Sequence, residues 1–171
     1  MRLETLLPPR RKTREVKLGP FVIGGDNPIR VQSMTATDTA DAEATAAQSR
    51  ALAEAGCEIV RLTVDTPKAA KALAEIRRRT AGIPLVADIH YNHRLALEAA
   101  PYVDKIRINP GNIGSEENIR AVLERANELD LPIRVGVNNG SLEKDIAIKH
   151  GAHLADGMLL PPETGYPPEA L

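Results

Sequence analysis

The segment "KIRINPGNIG", Lys105 to Gly114, decides how the rest of the chain is read. It opens as a strand in which Lys105, Arg107 and Asn109 alternate with Ile106 and Ile108. Residues two apart share a face of a strand, so the two cations and the amide line one side. The segment then runs into "NPGNIG", whose proline and glycines predict a loop. A strand of a parallel sheet is ordinarily apolar on both faces. A charged face leading straight into a glycine-rich loop therefore needs a purpose.

The same pattern recurs on both sides. Strands are expected in "IRVQSM", "CEIVRLTV", "IPLVADIH", "DKIRIN" and "LPIRVGV". Their polar positions are Gln32 (followed by Met34), Arg61 and Thr63, Asp88 and His90, Lys105, Arg107 and Asn109, then Arg134, Gly136 and Asn138. Val60, Leu62, Ile89, Ile106, Ile108, Ile133, Val135 and Val137 take the alternate positions. Helices are predicted between the strands. Residues 41–55 are alanine-rich and stop at Gly56, Thr66-Pro67 opens a helix to about Arg79, residues 93–100 form a short one, and Ser115 caps "EENIRAVLERANEL". Alternating strand and helix is the mark of right-handed βαβ units on a parallel sheet.

The fold class expected is α/β of the TIM-barrel type, incomplete, with about five of the eight βα units. A short hairpin, Val16–Leu18 and Phe21–Ile23 around Gly19-Pro20, precedes it. The expected divisions are 1–28 for a basic arm and hairpin, 29–145 for the partial barrel, and 146–171 for an irregular, proline-rich tail that need not be ordered. The basic residues from Arg10 to Lys17 are read as a solvated arm. A small open α/β sheet, complete in itself, is the plainer alternative.

Composition limits the function. The chain has 171 residues and a net charge of −1, so bulk nucleic-acid or membrane-surface binding is not expected. Aromatic residues make up 2%, too few for a base-stacking platform. A single cysteine, Cys57, excludes an internal disulfide or an all-cysteine metal site within this sequence. No stretch reads as a signal peptide or membrane span, and a cytoplasmic setting is expected.

The barrel interpretation turns the polar faces inward, near the C-terminal mouth where such folds act. Arg61, Lys105, Arg107 and Arg134 then face one obvious anion, Asp88. Converging cations call for a multiply anionic ligand, and the guanidinium fork suits phosphate oxygens. Asn109 and Asn138 can add neutral hydrogen bonds, while Gly111, Gly114, Gly136 and Gly140 let backbone N–H groups approach a ligand. Arg61 alone could be an ordinary ion pair with Asp88. His90 beside Asp88 could position substrate or move a proton, or be a hydrogen-bonded structural histidine. His93, His150 and His153 are read as surface residues. No metal triad, phosphate-binding P-loop or G-x-G-x-x-G stands in the sequence.

Taken together, "VQSMTATDTADAEAT", "AGCEIVRLTV", "IPLVADIH", "KIRINPGNIGSEENIRAV" and "PIRVGVNNGSLEKD" resemble the N-terminal barrel of the 4-hydroxy-3-methylbut-2-enyl diphosphate synthase family. The resemblance covers about residues 10–150. It implies an iron–sulfur oxidoreductase of the non-mevalonate isoprenoid pathway, which reductively opens 2-C-methyl-D-erythritol 2,4-cyclodiphosphate. It also implies a [4Fe–4S] cluster on a separate C-terminal domain, ferredoxin or flavodoxin as electron donor, and a homodimer. The family's substrate-contacting positions fall on Arg61, Asp88, His90, Arg107, Asn109, Arg134 and Asn138. With Lys105 from the strand pattern, these are the candidate binding residues, and Asp88 and His90 are the catalytic candidates. The cluster ligands have no counterpart here, Cys57 lies in the barrel segment, and no metal ligand is expected in this sequence. The chain alone is accordingly expected to be inactive. A non-catalytic phosphate-binding half-barrel and a pterin-binding barrel of the dihydropteroate synthase type are the alternatives.

Overall fold

Five short parallel strands form one open sheet in the order β3-β4-β5-β6-β7: Gln32–Met34, Ile59–Thr63, Leu85–Ile89, Lys105–Ile108 and Ile133–Val135. The structure, a computed structural model, describes residues 11–137, 141–142, 144–155, 158–160 and 162. Every strand pairs in parallel with its sequence neighbour, as successive βα units of a barrel do. The sheet does not close, which is the incomplete barrel expected.

The helices fall where their caps place them. Asp41 accepts from the Ala44 N–H at the start of α1 (Ala42–Glu54). Thr66 accepts from Ala69 N–H, and Pro67 fills the first turn of α2 (Pro67–Arg79), where a missing N–H costs nothing. Asn92 caps α3 (His93–Ala99). "NPGNIG" differs from its expected loop: Pro110–Ile113 is one turn of helix, α4, because Pro110 is preset for a first helical position. Gly114 then takes φ 106°, a left-handed backbone that suits glycine. Ser115 follows as cap of α5 (Glu116–Glu128).

The main core lies between the sheet and the helices. Val60, Leu62, Leu85, Ile89, Ile106 and Ile108 meet Leu73 and Ile76 of α2, Leu95 of α3 and Val122 of α5. The apolar positions predicted on β4, β5 and β6 are thus the outward, helix-facing ones. At the edge strand the pattern weakens, and Val135 is exposed.

The inner face holds a second, smaller cluster. Leu18 of β1 (Val16–Leu18) packs with Ile59 and Val86, flanked by Phe21 and Ile23 of β2 (Phe21–Ile23). The hairpin therefore floors the N-terminal end of the sheet's inner face. The arm before it is exposed from Arg11 to Lys17, yet Glu15 accepts from Asn27 Nδ2 and Thr13 Oγ1 accepts from Gly25 N–H, tying the arm to the next turn.

After Asp145 the sequence shows no period, yet α6 (Lys144–Lys149) spans that point. It is followed by an antiparallel pair, β8 (His153–Ala155) and β9 (Met158–Leu160). Residues 163–171 of the expected irregular tail lie outside the described residues. Among the described residues, no helix is long and apolar enough to cross a membrane.

Candidate functional site

Register arranges the inner face in rungs. Met34, Arg61, Val86 and Lys105 are successive partners across four strands. One rung nearer the C-terminal ends, Thr63, Asp88, Arg107 and Arg134 are successive partners. His90, Asn109 and Gly136 follow above. The faces expected from alternation are those observed, with one difference. Ile59 and Val86 share this side with the charges, so the lower part of the inner face is apolar and only its upper part is charged.

Asp88 is the centre of the charged part. It is 1% exposed, and three side chains converge on it. Arg61 Nη2 donates to Oδ2 at 2.5 Å, Arg107 Nη1 donates to Oδ1 at 3.1 Å, and His90 Nε2 lies 3.1 Å from Oδ2. Burial pushes the Asp88 carboxyl up, but the Arg61 hydrogen bond and the charges of Arg61, Arg107 and His90 outweigh it and hold it below the usual range. The simple Arg61–Asp88 pair allowed by the sequence is therefore present, but as part of a shared network. Arg61 Nε remains buried without a hydrogen-bond partner.

Lys105 is the counterpart without an acid. It is 9% exposed, and among the described residues it has neither hydrogen bond nor ion pair. Burial, then the charges of Arg134 and Arg61, lower its pKa from the usual lysine value. Arg134 is exposed on β7. Of these four cations, Arg61 and Arg107 are held by Asp88, and Lys105 and Arg134 have no acidic partner among the described residues.

Glycines shape the β6–β7 side. A Cβ on Gly136 would lie 2.6 Å from Arg107 Nε, so the guanidinium occupies the space a side chain would take. A Cβ on Gly111 would run into the Ser141 carbonyl oxygen. Asn109, 1% exposed, donates from Nδ2 to Ser141 Oγ at 2.7 Å, and its Oδ1 is buried with no partner. Ser141 was not singled out in the sequence. It lies 32 residues from Asn109, and no local pattern signals such a long-range partner. Asn138 and Gly140 lie outside the described residues. Of the remaining histidines, His153 is exposed, whereas His93 and His150 are partly buried rather than fully on the surface.

Tyr91, 72% exposed, stands beside His90 with the rings edge to face, 6.0 Å between centroids. A cavity of about 660 Å³ lies at the opposite end of the strands, lined by Glu15, Lys17, Asp104, Asn127 and Asp130 among others, so its charged lining is mainly acidic rather than cationic.

Iron–sulfur binding can be tested against the thiol present. Cys57 is the one cysteine in the sequence; its Sγ lies 3.0 Å from the Ile59 carbonyl oxygen at the entry to β4. Among the described residues, no three of His, Cys, Asp and Glu gather as a metal site. These residues do not fit a [4Fe–4S] cluster, which is held by several thiolates.

Fold and site together define a partial TIM-barrel unit with a cationic inner face. The GcpE TIM-barrel domain family matches residues 13–161, and the chain belongs to that family. Over 151 residues it is 56% identical to the 4-hydroxy-3-methylbut-2-en-1-yl diphosphate synthase (flavodoxin) of Bacillus licheniformis, a match covering 88% of this chain and 40% of that protein. The Geobacillus kaustophilus protein of the same name gives the same identity and coverage, and that of Bacillus subtilis is 54% identical. The chain thus spans about 40% of the length of these relatives. Among solved structures, a truncated 3-deoxy-D-arabino-heptulosonate 7-phosphate synthase from Thermotoga maritima superimposes with a TM-score of 0.55 at 20% identity, covering 72% of this chain and 46% of that one. This likeness concerns the fold alone.

Proposed function

We propose that this chain is the substrate-binding barrel portion of an enzyme that reductively opens 2-C-methyl-D-erythritol 2,4-cyclodiphosphate to 4-hydroxy-3-methylbut-2-enyl diphosphate. The observation that carries the reading is the excess of cations on the inner face: Arg61 and Arg107 share Asp88, while Lys105 and Arg134 have no acidic partner among the described residues. Such a face suits a diphosphate. The names of the relatives support the reaction, and flavodoxin in those names supports a flavodoxin-class donor for the longer enzyme. In this reading, residues 1–28 are an arm and floor, 29–145 the binding unit, and 146–171 a further segment.

Arg61, Lys105, Arg107, Asn109, Arg134 and Asn138 bind the diphosphate and its sugar skeleton, and His90 with Asp88 orients the substrate or carries a proton at the ring. The [4Fe–4S] cluster that the family resemblance implies would need ligands that these residues do not supply, so the chain alone binds without turning over. The full-length protein works in the cytoplasm as a homodimer. A single cysteine favours, as a second reading, a phosphate-binding half-barrel with no redox role.

Calorimetry with the cyclic diphosphate tests the reading. Arg107→Ala should weaken binding by about 1.5–3 kcal/mol, the worth of a charged hydrogen bond. Equal affinities for the two proteins, both folded by circular dichroism, would remove the basis for the site.

A further inference from the structure

Asn109 departs from the use its position invites. It precedes the turn α4, where an asparagine side chain ordinarily accepts from a first-turn N–H. Here the side chain makes no such bond. The N–H groups of Asn112 and Ile113 are met by the Asn109 backbone carbonyl, at 3.0 and 3.2 Å. The carboxamide turns the other way, and its Nδ2 donates to Ser141 Oγ at 2.7 Å, between two buried residues. Ser141 is fixed from a second side as well: its carbonyl oxygen takes the space beside Gly111 that a Cβ would need. A hydroxyl held at Nδ2 decides which end of the amide is left over. That end is Oδ1, buried and without a hydrogen-bond partner. A buried acceptor in that state is costly until a donor reaches it.

We propose that Ser141 is a positioning residue: by holding Nδ2 it presents Asn109 Oδ1 to a hydroxyl on the ligand's carbon skeleton, and not to its phosphates. The inference rests on the proposed function, which gives Asn109 to the ligand without dividing the ligand into parts. An amide oxygen only accepts, as an ionised phosphate oxygen does, so the two cannot bond to each other. The oxyanions therefore stay with Lys105 and Arg107, earlier on the same strand. A hydroxyl above them donates to Oδ1. Ser141 acts through the amide, without touching the ligand itself.

Two ligands test this on the whole chain: the cyclic diphosphate, and inorganic diphosphate, which has no carbon skeleton. By calorimetry, Ser141→Ala should weaken the cyclic diphosphate by about fivefold to tenfold, one neutral hydrogen bond, and hold inorganic diphosphate within about twofold of the parent. The Asn109 side-chain amide resonances, assigned by their loss in Asn109→Asp, should move in Ser141→Ala before any ligand is added. Ser141→Cys, near in size but a weak acceptor, carries the same test should Ser141→Ala fold poorly. Equal affinity of folded variant and parent for the cyclic diphosphate, an equal loss for both ligands, or unmoved amide resonances would each overturn the role of Ser141 and leave the proposed function standing. A parent that does not bind the cyclic diphosphate overturns that function, and this inference with it.

Discussion

Arg107 lies against Gly136 so closely that a methyl group on the glycine would sit 2.6 Å from Nε. Arg107 is on β6 and Gly136 directly follows β7, and the missing side chain there leaves the guanidinium its route to Asp88. Gly136→Ala should push Arg107 off the carboxylate and cost about 1–3 kcal/mol, as overpacking does. Urea unfolding checks this. In an Arg107→Ala background the same substitution should cost much less, because the colliding group is gone.

Asp88 should be the most sensitive polar position. Asp88→Asn leaves Arg61 and Arg107 largely buried without their anion, and should destabilise by about 3–5 kcal/mol. The pH dependence has a definite sign. The folded carboxyl titrates below its unfolded value, so the unfolded chain binds the proton more readily. The stabilisation is complete above the unfolded value, near pH 4, and is lost as pH falls through the folded one. Thermal melts below pH 4 should show this loss in the parent and a smaller one in Asp88→Asn.

Lys105→Met should do the opposite and raise stability by about 1 kcal/mol at neutral pH in phosphate-free buffer, since a buried charge is replaced by an apolar chain. The folded ammonium titrates below its unfolded value, so its protonation opposes folding. That cost is full below the folded pKa and vanishes as pH rises to the unfolded value, about 10.4. The melting advantage of Lys105→Met should therefore shrink steadily as pH is raised toward that value.

Gly111 and Gly82 separate two reasons for glycine. At Gly82 a Cβ would meet nothing within 4 Å, and only its φ of 86° resists substitution. At Gly111 the backbone conformation is ordinary, but the Ser141 carbonyl stands in the way. Gly82→Ala should cost about 1 kcal/mol, and Gly111→Ala more, because backbone cannot swing aside as a long side chain can. Chemical denaturation of the pair decides the order.

The hairpin is part of the folding unit. Leu18 is fully buried against Ile59 and Val86. Leu18→Ala should cost about 2–5 kcal/mol, the range for large-to-small core changes. Loss of stability by denaturant titration, with one cooperative transition retained, is the expected result.

Much of this was legible in the sequence, for a specific reason. Alternation assigns a side to every strand residue, so Arg61, Asp88, Lys105 and Arg107 could be placed together from their parity alone. Helix caps at Thr66 and Ser115 were legible because capping is chemistry between residues three apart. The unread features depend on register and reach. Alternation could not show that Ile59 and Val86 carry an apolar floor on the charged side, since that depends on Leu18 arriving from a separate hairpin. Nor could it show that Asp88 is shared by three partners, or that Asn109 finds Ser141. The turn at Pro110–Ile113 was read as loop because proline and glycine signal both a break and a helix start.

The floor has a directional effect. Arg61 and Lys105 are both register partners of Val86, and the residue below on the same side of Arg61 is Ile59. Aliphatic side chains offer no acceptor, and Arg61 instead climbs a rung to meet Asp88. A few methyl groups supplied by an N-terminal hairpin thus help set the heading of a cation on the strand they cover.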